Sequence, residues 1–229
     1  MPRAYLWITL VVIALIAACA PSVEAPRLEV QQLSEPVSFY PHQTGARWAY
    51  VRDGAALDGI RYVETVEGPS VIDGEVWIAS RLVGGGQDVR HYRQYRDDGV
   101  YLRRQTRPGA TIDFEPPIRE FPAEAELRVG LTWRADTVAD QRYPSAAPGL
   151  RRITVPVEYV YTVIDRRPVT VAGRAFDVFV IDRTVRQYDE DGGVADELSR
   201  TMWFAPFIGT VRHENAWFLV ETNVTPAQP

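Results

Sequence analysis

The chain has 229 residues, of which 46% are apolar and 11% aromatic, enough to bury a substantial core and too apolar to be disordered. Its 25 basic residues are all arginine, set against 30 acidic ones, so the formal net charge is −5 and there is no electrostatic footprint for nucleic acid. The absence of lysine excludes a phosphate-loop lysine, a Schiff base and a pyridoxal site, and a single cysteine excludes an internal disulfide and any multi-cysteine metal centre.

At the N-terminus, Met1-Pro2-Arg3 supplies one positive charge, and the run from Ala4 to Ala18 is uncharged and apolar except for Thr9. That run is shorter than the roughly 20 residues of a bilayer span and ends in small residues, as a secretory signal does. Residues 1–18 are therefore expected to be an export signal. Ile16-Ala17-Ala18-Cys19 resembles the lipobox of bacterial lipoproteins. The resemblance implies cleavage between Ala18 and Cys19 and a diacylglycerol on the Cys19 thiol, with a membrane as partner and a place in the cell envelope outside the cytoplasm. Two or more acyl chains anchor stably where one binds marginally. The alternative is an uncleaved membrane anchor with an incidental cysteine; against it, Cys19 is the only cysteine and stands where the signal ends. Residues 19–38 carry Pro21, Pro26, Pro36 and the pair Gln31-Gln32, and are expected to form a flexible tether.

From residue 39 to 222, strand signals dominate. Ile153, Val155, Val157, Tyr159, Tyr161 and Val163 alternate with period two, the pattern of a strand with one buried face. Ala175–Ile181 is nearly continuous in apolar residues, as in a strand covered on both faces. Asp73-Gly74, Gly84-Gly85-Gly86, Asp98-Gly99 and Asp191-Gly192 lie between such runs and suit tight hairpins; Gly173 is expected at a turn needing positive φ. Pro122–Glu126 or Ala135–Arg142 could form a short helix, and nothing longer is expected after residue 19. The fold class expected is all-β, a curved antiparallel sheet or half-open barrel. Residues 223–229 are expected to be a disordered tail, although Asn223-Val224-Thr225 matches a glycosylation sequon.

Three landmarks recur in the same order. Tyr40-Pro41 before Gly45-Ala46-Arg47-Trp48 parallels Phe121-Pro122 before Gly130-Leu131-Thr132-Trp133. Asp73-Gly74 with Trp77 parallels Ala172-Gly173 with Phe176, and Tyr95 with Gly99 weakly echoes Trp203-Phe204 with Gly209. Generic hairpin grammar or two related halves, 39–114 and 118–222, would both produce this. The division would fall in Glu115-Pro116-Pro117, because a proline pair disrupts a central strand.

The same landmarks carry a family resemblance. Tyr40-Pro41 with Gly45 to Tyr50, then Ala172 to Val178, then Trp203 to Arg212, resemble the motifs YP…GxxWxY, AGxFD and W[YF]APxxGxV of bacterial envelope lipoproteins of largely unassigned function. It spans about residues 39–215 and implies a curved antiparallel sheet. Phe207-Ile208 stands where that pattern has Gly-Val, and His42 replaces a more common aliphatic residue. The resemblance implies no active site.

No catalytic, metal or cofactor motif is found. His42, His91 and His213 lie in separate segments, and His91 falls in a run polar on both faces, Val89–Arg96, where a solvated ring suffices. The acidic run Asp189-Glu190-Asp191-Gly192-Gly193 departs from the EF-hand pattern and reads as a solvated hairpin rather than a calcium loop. Asp177 and Asp182, five apart, point to opposite faces of a strand and do not pair. Ser80, Ser145 and Ser199 lie in no nucleophile motif. Trp48, Trp77, Trp133, Trp203 and Trp217 are the candidate ligand-face aromatics, with burial in the core as the competing reading. The expected role is non-enzymatic, without cofactor: an anchored module carrying an apolar or lipid ligand on its curved sheet. The alternative is a structural or interaction lipoprotein of an envelope assembly, with an envelope protein as partner.

Overall fold

The computed structural model describes Leu33, residues 37–214 and residues 216–225. Ala18, Cys19, the expected signal and most of the expected tether lie outside the described residues. Among those described, twelve strands pair antiparallel, each with its neighbours in the chain, and β1 pairs with β12 to close a barrel. They are β1 (Arg47–Arg52), β2 (Tyr62–Ile72), β3 (Glu75–Gly84), β4 (Gln87–Arg96), β5 (Gly99–Arg107) and β6 (Ala110–Pro122), followed by β7 (Thr132–Arg142), β8 (Arg152–Val171), β9 (Arg174–Tyr188), β10 (Val194–Ala205), β11 (Gly209–His213) and β12 (Trp217–Thr222). The all-β expectation holds, and the sheet closes completely. Closure leaves no unpaired edge, so every strand finds two partners.

Up-and-down connectivity fixes two ends. The chain enters β1 and leaves β12 at the same end, here the near end, which also carries the turns β2–β3, β4–β5, β6–β7, β8–β9 and β10–β11. The far end carries the intervening loops. Alternation along each strand sends one set of side chains inward. On β4 the inward set is Gln87, Val89, His91, Arg93 and Tyr95. Buried apolar residues form two clusters, one around Trp48, Tyr50, Val180 and Leu219, the other around Phe114, Ile118, Trp133 and Ile181. On β9, Phe176, Val178 and Val180 join the first cluster while Phe179 and Ile181 join the second, so this strand is covered on both faces as expected. The outer wall across β7 to β10 carries ion pairs. Arg134 and Arg186 both reach Glu158, at 2.7 and 2.9 Å, and Arg186 also reaches Glu197 at 2.6 Å. The same strands also expose Val138, Ile153, Ile164, Val194 and Leu198.

Three local expectations are corrected. The proline pair does not end a strand, since β6 runs through Pro116-Pro117. The strand tolerates them because both ladders lapse there: β6 pairs with β7 only from Thr111 to Glu115, and its register against β5 jumps between Asp113 and Ile118. Side chains fill the lapse, with Thr137 Oγ1 donating to the Pro116 carbonyl (2.6 Å) and Arg103 to that of Phe114 (2.6 Å). Prolines sit in sheets at such irregularities. Next, Ala135–Arg142 belongs to β7, and Pro122–Glu126 contains no more than the 3-10 turn Glu124–Glu126. Finally, the tail does not begin at 223. Asn223 Oδ1 accepts from the Arg47 N–H (2.8 Å), its amide donates to the Gly45 carbonyl (3.0 Å), and Val224 is fully buried.

The segment before β1 stoppers the near end. Phe39 packs on Tyr40, Phe204 and Phe207, Tyr40 packs on Phe121 and Phe204, and the Tyr40 hydroxyl donates to the Pro122 carbonyl (2.8 Å). Phe207 takes φ 62°, a conformation glycine adopts freely and a bulky residue rarely does. Its N–H donates to the Phe39 carbonyl (3.0 Å), so the strained residue holds the stopper.

Candidate functional site

Behind the stopper the barrel encloses a cavity of about 360 Å³, toward the lower end of the roughly 300–1,000 Å³ typical of small-ligand pockets. Twelve strands make a circumference too wide for side chains to fill, where about eight would be filled. The floor includes Tyr40, Pro41 and Phe121, and Gln87, Gln105 and Trp217 line it toward the far end.

Its lining is mixed in a definite way. Arg93 from β4 is the centre of a charged cluster. Its Nε donates to Glu120 on β6 (2.6 Å), and its Nη1 donates to the Ser80 hydroxyl on β3 (3.0 Å) and lies 3.5 Å from Glu64 on β2. Ser80 in turn donates to Glu64 (2.9 Å). A second pair joins Arg183 on β9 to Glu214 just beyond β11. His213 ends β11 with its ring edge-on to Tyr50 (4.5 Å) and its Nε2 3.8 Å from Glu64. His91 stands opposite Ser80 in the β3–β4 register.

Burial and charge pull against each other in this cluster. Burial works to raise the Glu64 and Glu120 carboxyls, but Arg93, supported by the nearby histidines, outweighs it and holds both below the ordinary carboxylate value. Burial dominates at Glu214 and raises it, although Arg183 opposes. Burial, with help from Arg93, depresses His91 to about 4, and burial also lowers His213, so both rings are neutral at pH 7. Burial pushes Tyr159 up to about 12 and raises Tyr50, Tyr95 and Tyr161, leaving these as neutral hydroxyls.

Among the described residues, three buried side-chain atoms have no hydrogen-bond partner: His91 Nδ1, His213 Nε2 and Arg183 Nε. All three belong to residues lining this one cavity. Buried polar groups are almost always paired, and each one left alone costs about 1–3 kcal/mol.

Of the five candidate aromatics, Trp48 and Trp217 line the cavity, Trp48 donating to the Ile208 carbonyl (2.6 Å) and Trp217 stacked on Tyr62 at 4.0 Å. The other three do not. Trp77 is buried elsewhere, Trp133 stacks on Tyr161 and donates to the Arg119 carbonyl, and Trp203 packs beneath Arg167 and Arg212. His42 stacks on Tyr95 at the near end (4.0 Å) and its Nδ1 donates to the Tyr40 carbonyl. The reading of His91 as a solvated surface ring is corrected: it faces the lumen, where closure of the barrel turns one side of β4 inward. Asp177 pairs with Arg166 and Asp182 accepts from Thr201, so the two do not meet. The acidic run forms a hairpin turn in which Asp189 Oδ1 accepts from the Asp191 and Gly193 N–H groups. Among the described residues no group of three or more histidine, cysteine or acidic side chains is placed to hold a metal.

No family model matches the chain, and no curated protein does. Among solved structures it is similar to the hypothetical lipoprotein YmcC from Escherichia coli K12, with 9% identity, 80% of this chain and 85% of that one covered, and a TM-score of 0.42. A likeness that slight carries no argument about the site.

Proposed function

We propose that this chain is an extracytoplasmic binding module, anchored to a membrane through lipidated Cys19, that holds a small molecule inside its barrel. The anchor rests on the lipobox-like Ile16 to Cys19. The binding role rests on one observation, the cavity of about 360 Å³ lined by His91, His213 and Arg183, each of which carries a buried polar atom that the chain leaves unpaired. The lining sets charged and hydroxyl groups among apolar side chains such as Val89, Leu102, Ile118 and Phe204, which suits a small molecule with polar groups better than a long acyl chain. Phe39 and Tyr40 cover part of the near end, and beside them His42, Ile78, Arg93 and Tyr95 line a second, open pocket.

A purely structural lipoprotein is the second reading, favoured by the aromatic packing of the stopper and both clusters. A solid interior would suit it better than a cavity does. An enzyme is disfavoured because Glu64 and Glu120 clasp the same guanidinium, the arrangement of a structural network rather than of an acid–base pair. Native mass spectrometry of the full chain from its own host tests the proposal. A bound mass is expected on the parent and absent from Val89→Trp, which fills the lumen. A parent that flies only at its own mass would favour the structural reading.

A further inference from the structure

The charges of the lumen are already matched to one another. Each of the carboxylates Glu64, Glu120 and Glu214 has a guanidinium partner, and both guanidiniums, Arg93 and Arg183, are engaged. An incoming anion therefore finds no free cation, and an incoming cation finds no free carboxylate. Either would enter as an unpaired buried charge, which costs far more than an unpaired dipole. What remains unmet is directional hydrogen bonding: two imidazole nitrogens and one N–H of Arg183. A neutral imidazole donates at one nitrogen and accepts at the other, so its free atom pairs equally well with a hydroxyl in either role. Tyr50, Tyr95, Tyr159 and Trp217 line the same cavity and offer apolar ring surface, and the hydroxyls of Tyr95 and Tyr159 add further partners. At about 30 Å³ per small polar group, the cavity has room for about a dozen such groups.

Resting on the binding reading above, we propose that the lumen selects a neutral, hydroxyl-rich ligand of one ring, a monosaccharide or cyclic polyol. His91, His213 and Arg183 read its hydroxyls, and the aromatic side chains cover its C–H faces. The paired charges hold these groups in place and reject charged analogues.

Isothermal titration calorimetry on the full acylated chain, in a detergent without a sugar headgroup, tests this. The neutral probes are glucose, N-acetylglucosamine and myo-inositol; glucuronate and glucosamine are the charged ones, and 1-octanol the apolar one. Saturable binding is expected for at least one neutral probe, weaker by about tenfold or more for the charged ones, a difference of about 1.4 kcal/mol. His91→Phe keeps an aromatic ring, removes the unpaired nitrogen, and is expected to weaken neutral binding about tenfold; should it fail to fold, His213→Phe makes the same test. Preferential binding of a charged probe or of octanol would overturn the ligand class and leave the binding role standing. If no probe binds, the mass found on the native chain decides: a neutral polyhydroxyl composition supports the class, any other composition overturns it, and no bound mass overturns class and binding role together.

Discussion

His91 shows how much a single side chain reveals once its surroundings are known. Free imidazole titrates near 6.5, whereas burial, aided by Arg93, brings His91 to about 4. Between those values the unfolded chain binds a proton that the folded chain refuses, so His91 makes stability fall as pH drops from about 6.5 toward 4. Glu64 and Glu120, held low, act in the same direction at lower pH. Glu214, raised by burial, acts oppositely, its contribution being lost as pH rises through its folded value. The shift at His91 corresponds to about 3 kcal/mol at most, and about 1–3 kcal/mol is expected because the ring keeps surface on the cavity. Urea midpoints at pH 7.5 and 5 measure it: the parent should lose stability between them and His91→Phe should lose less. Equal losses would place His91 outside the titrating set. None of this was legible from the residues around it. Gln87 to Arg96 is polar at both odd and even positions, and only a closed sheet decides which set is inside. Trp48 and Trp217 were singled out for the lumen together with three tryptophans that turn out not to line it, since bulk and apolarity suit a packed core and a ligand wall alike.

Strands and turns, in contrast, could be read directly, because period two and the need for positive φ are local properties. Ala172 and Gly173 take φ 49° and 75° between β8 and β9, and Asp73 and Gly74 take 52° and 84° between β2 and β3. Both are tight hairpins with two left-handed residues. A Cβ on Gly173 would meet nothing within 4 Å, so any cost of substitution there is backbone strain. Gly173→Val is expected to destabilise by about 1–3 kcal/mol, and an unchanged denaturation midpoint would show that the turn tolerates a β-branched residue. The repeated landmarks fall six strands apart: Gly45 and Gly130 precede β1 and β7, the two hairpins join β2–β3 and β8–β9, and Gly99 and Gly209 open β5 and β11. That offset is the one a duplicated six-strand unit would leave. The division proposed at Glu115-Pro116-Pro117 misses it, because the proline rule presumes an unbroken ladder and β6 has a lapse in which prolines fit.

The whole barrel sets the stopper at the end where the described chain begins and ends, and the cavity behind it. The proposed anchor at Cys19 has its own test. Cys19→Ser should abolish incorporation of radioactive fatty acid in cells, and label retained by the serine variant would refute the anchor. The central claim is that the lumen, and not the outer wall, is the binding surface. Beyond Cys19 the chain has five tryptophans, of which Trp48 and Trp217 line the lumen, Trp133 packs behind the lumen-lining Tyr161, and Trp77 and Trp203 do not reach it. Their indole N–H signals in a nitrogen-15 correlation spectrum, assigned by single Trp→Phe variants, report on both groups at once during titration with the tightest-binding probe. Saturable shifts at Trp48 and Trp217 with Trp77 and Trp203 unmoved are the predicted result; shifts confined to Trp77 or Trp203 would contradict it.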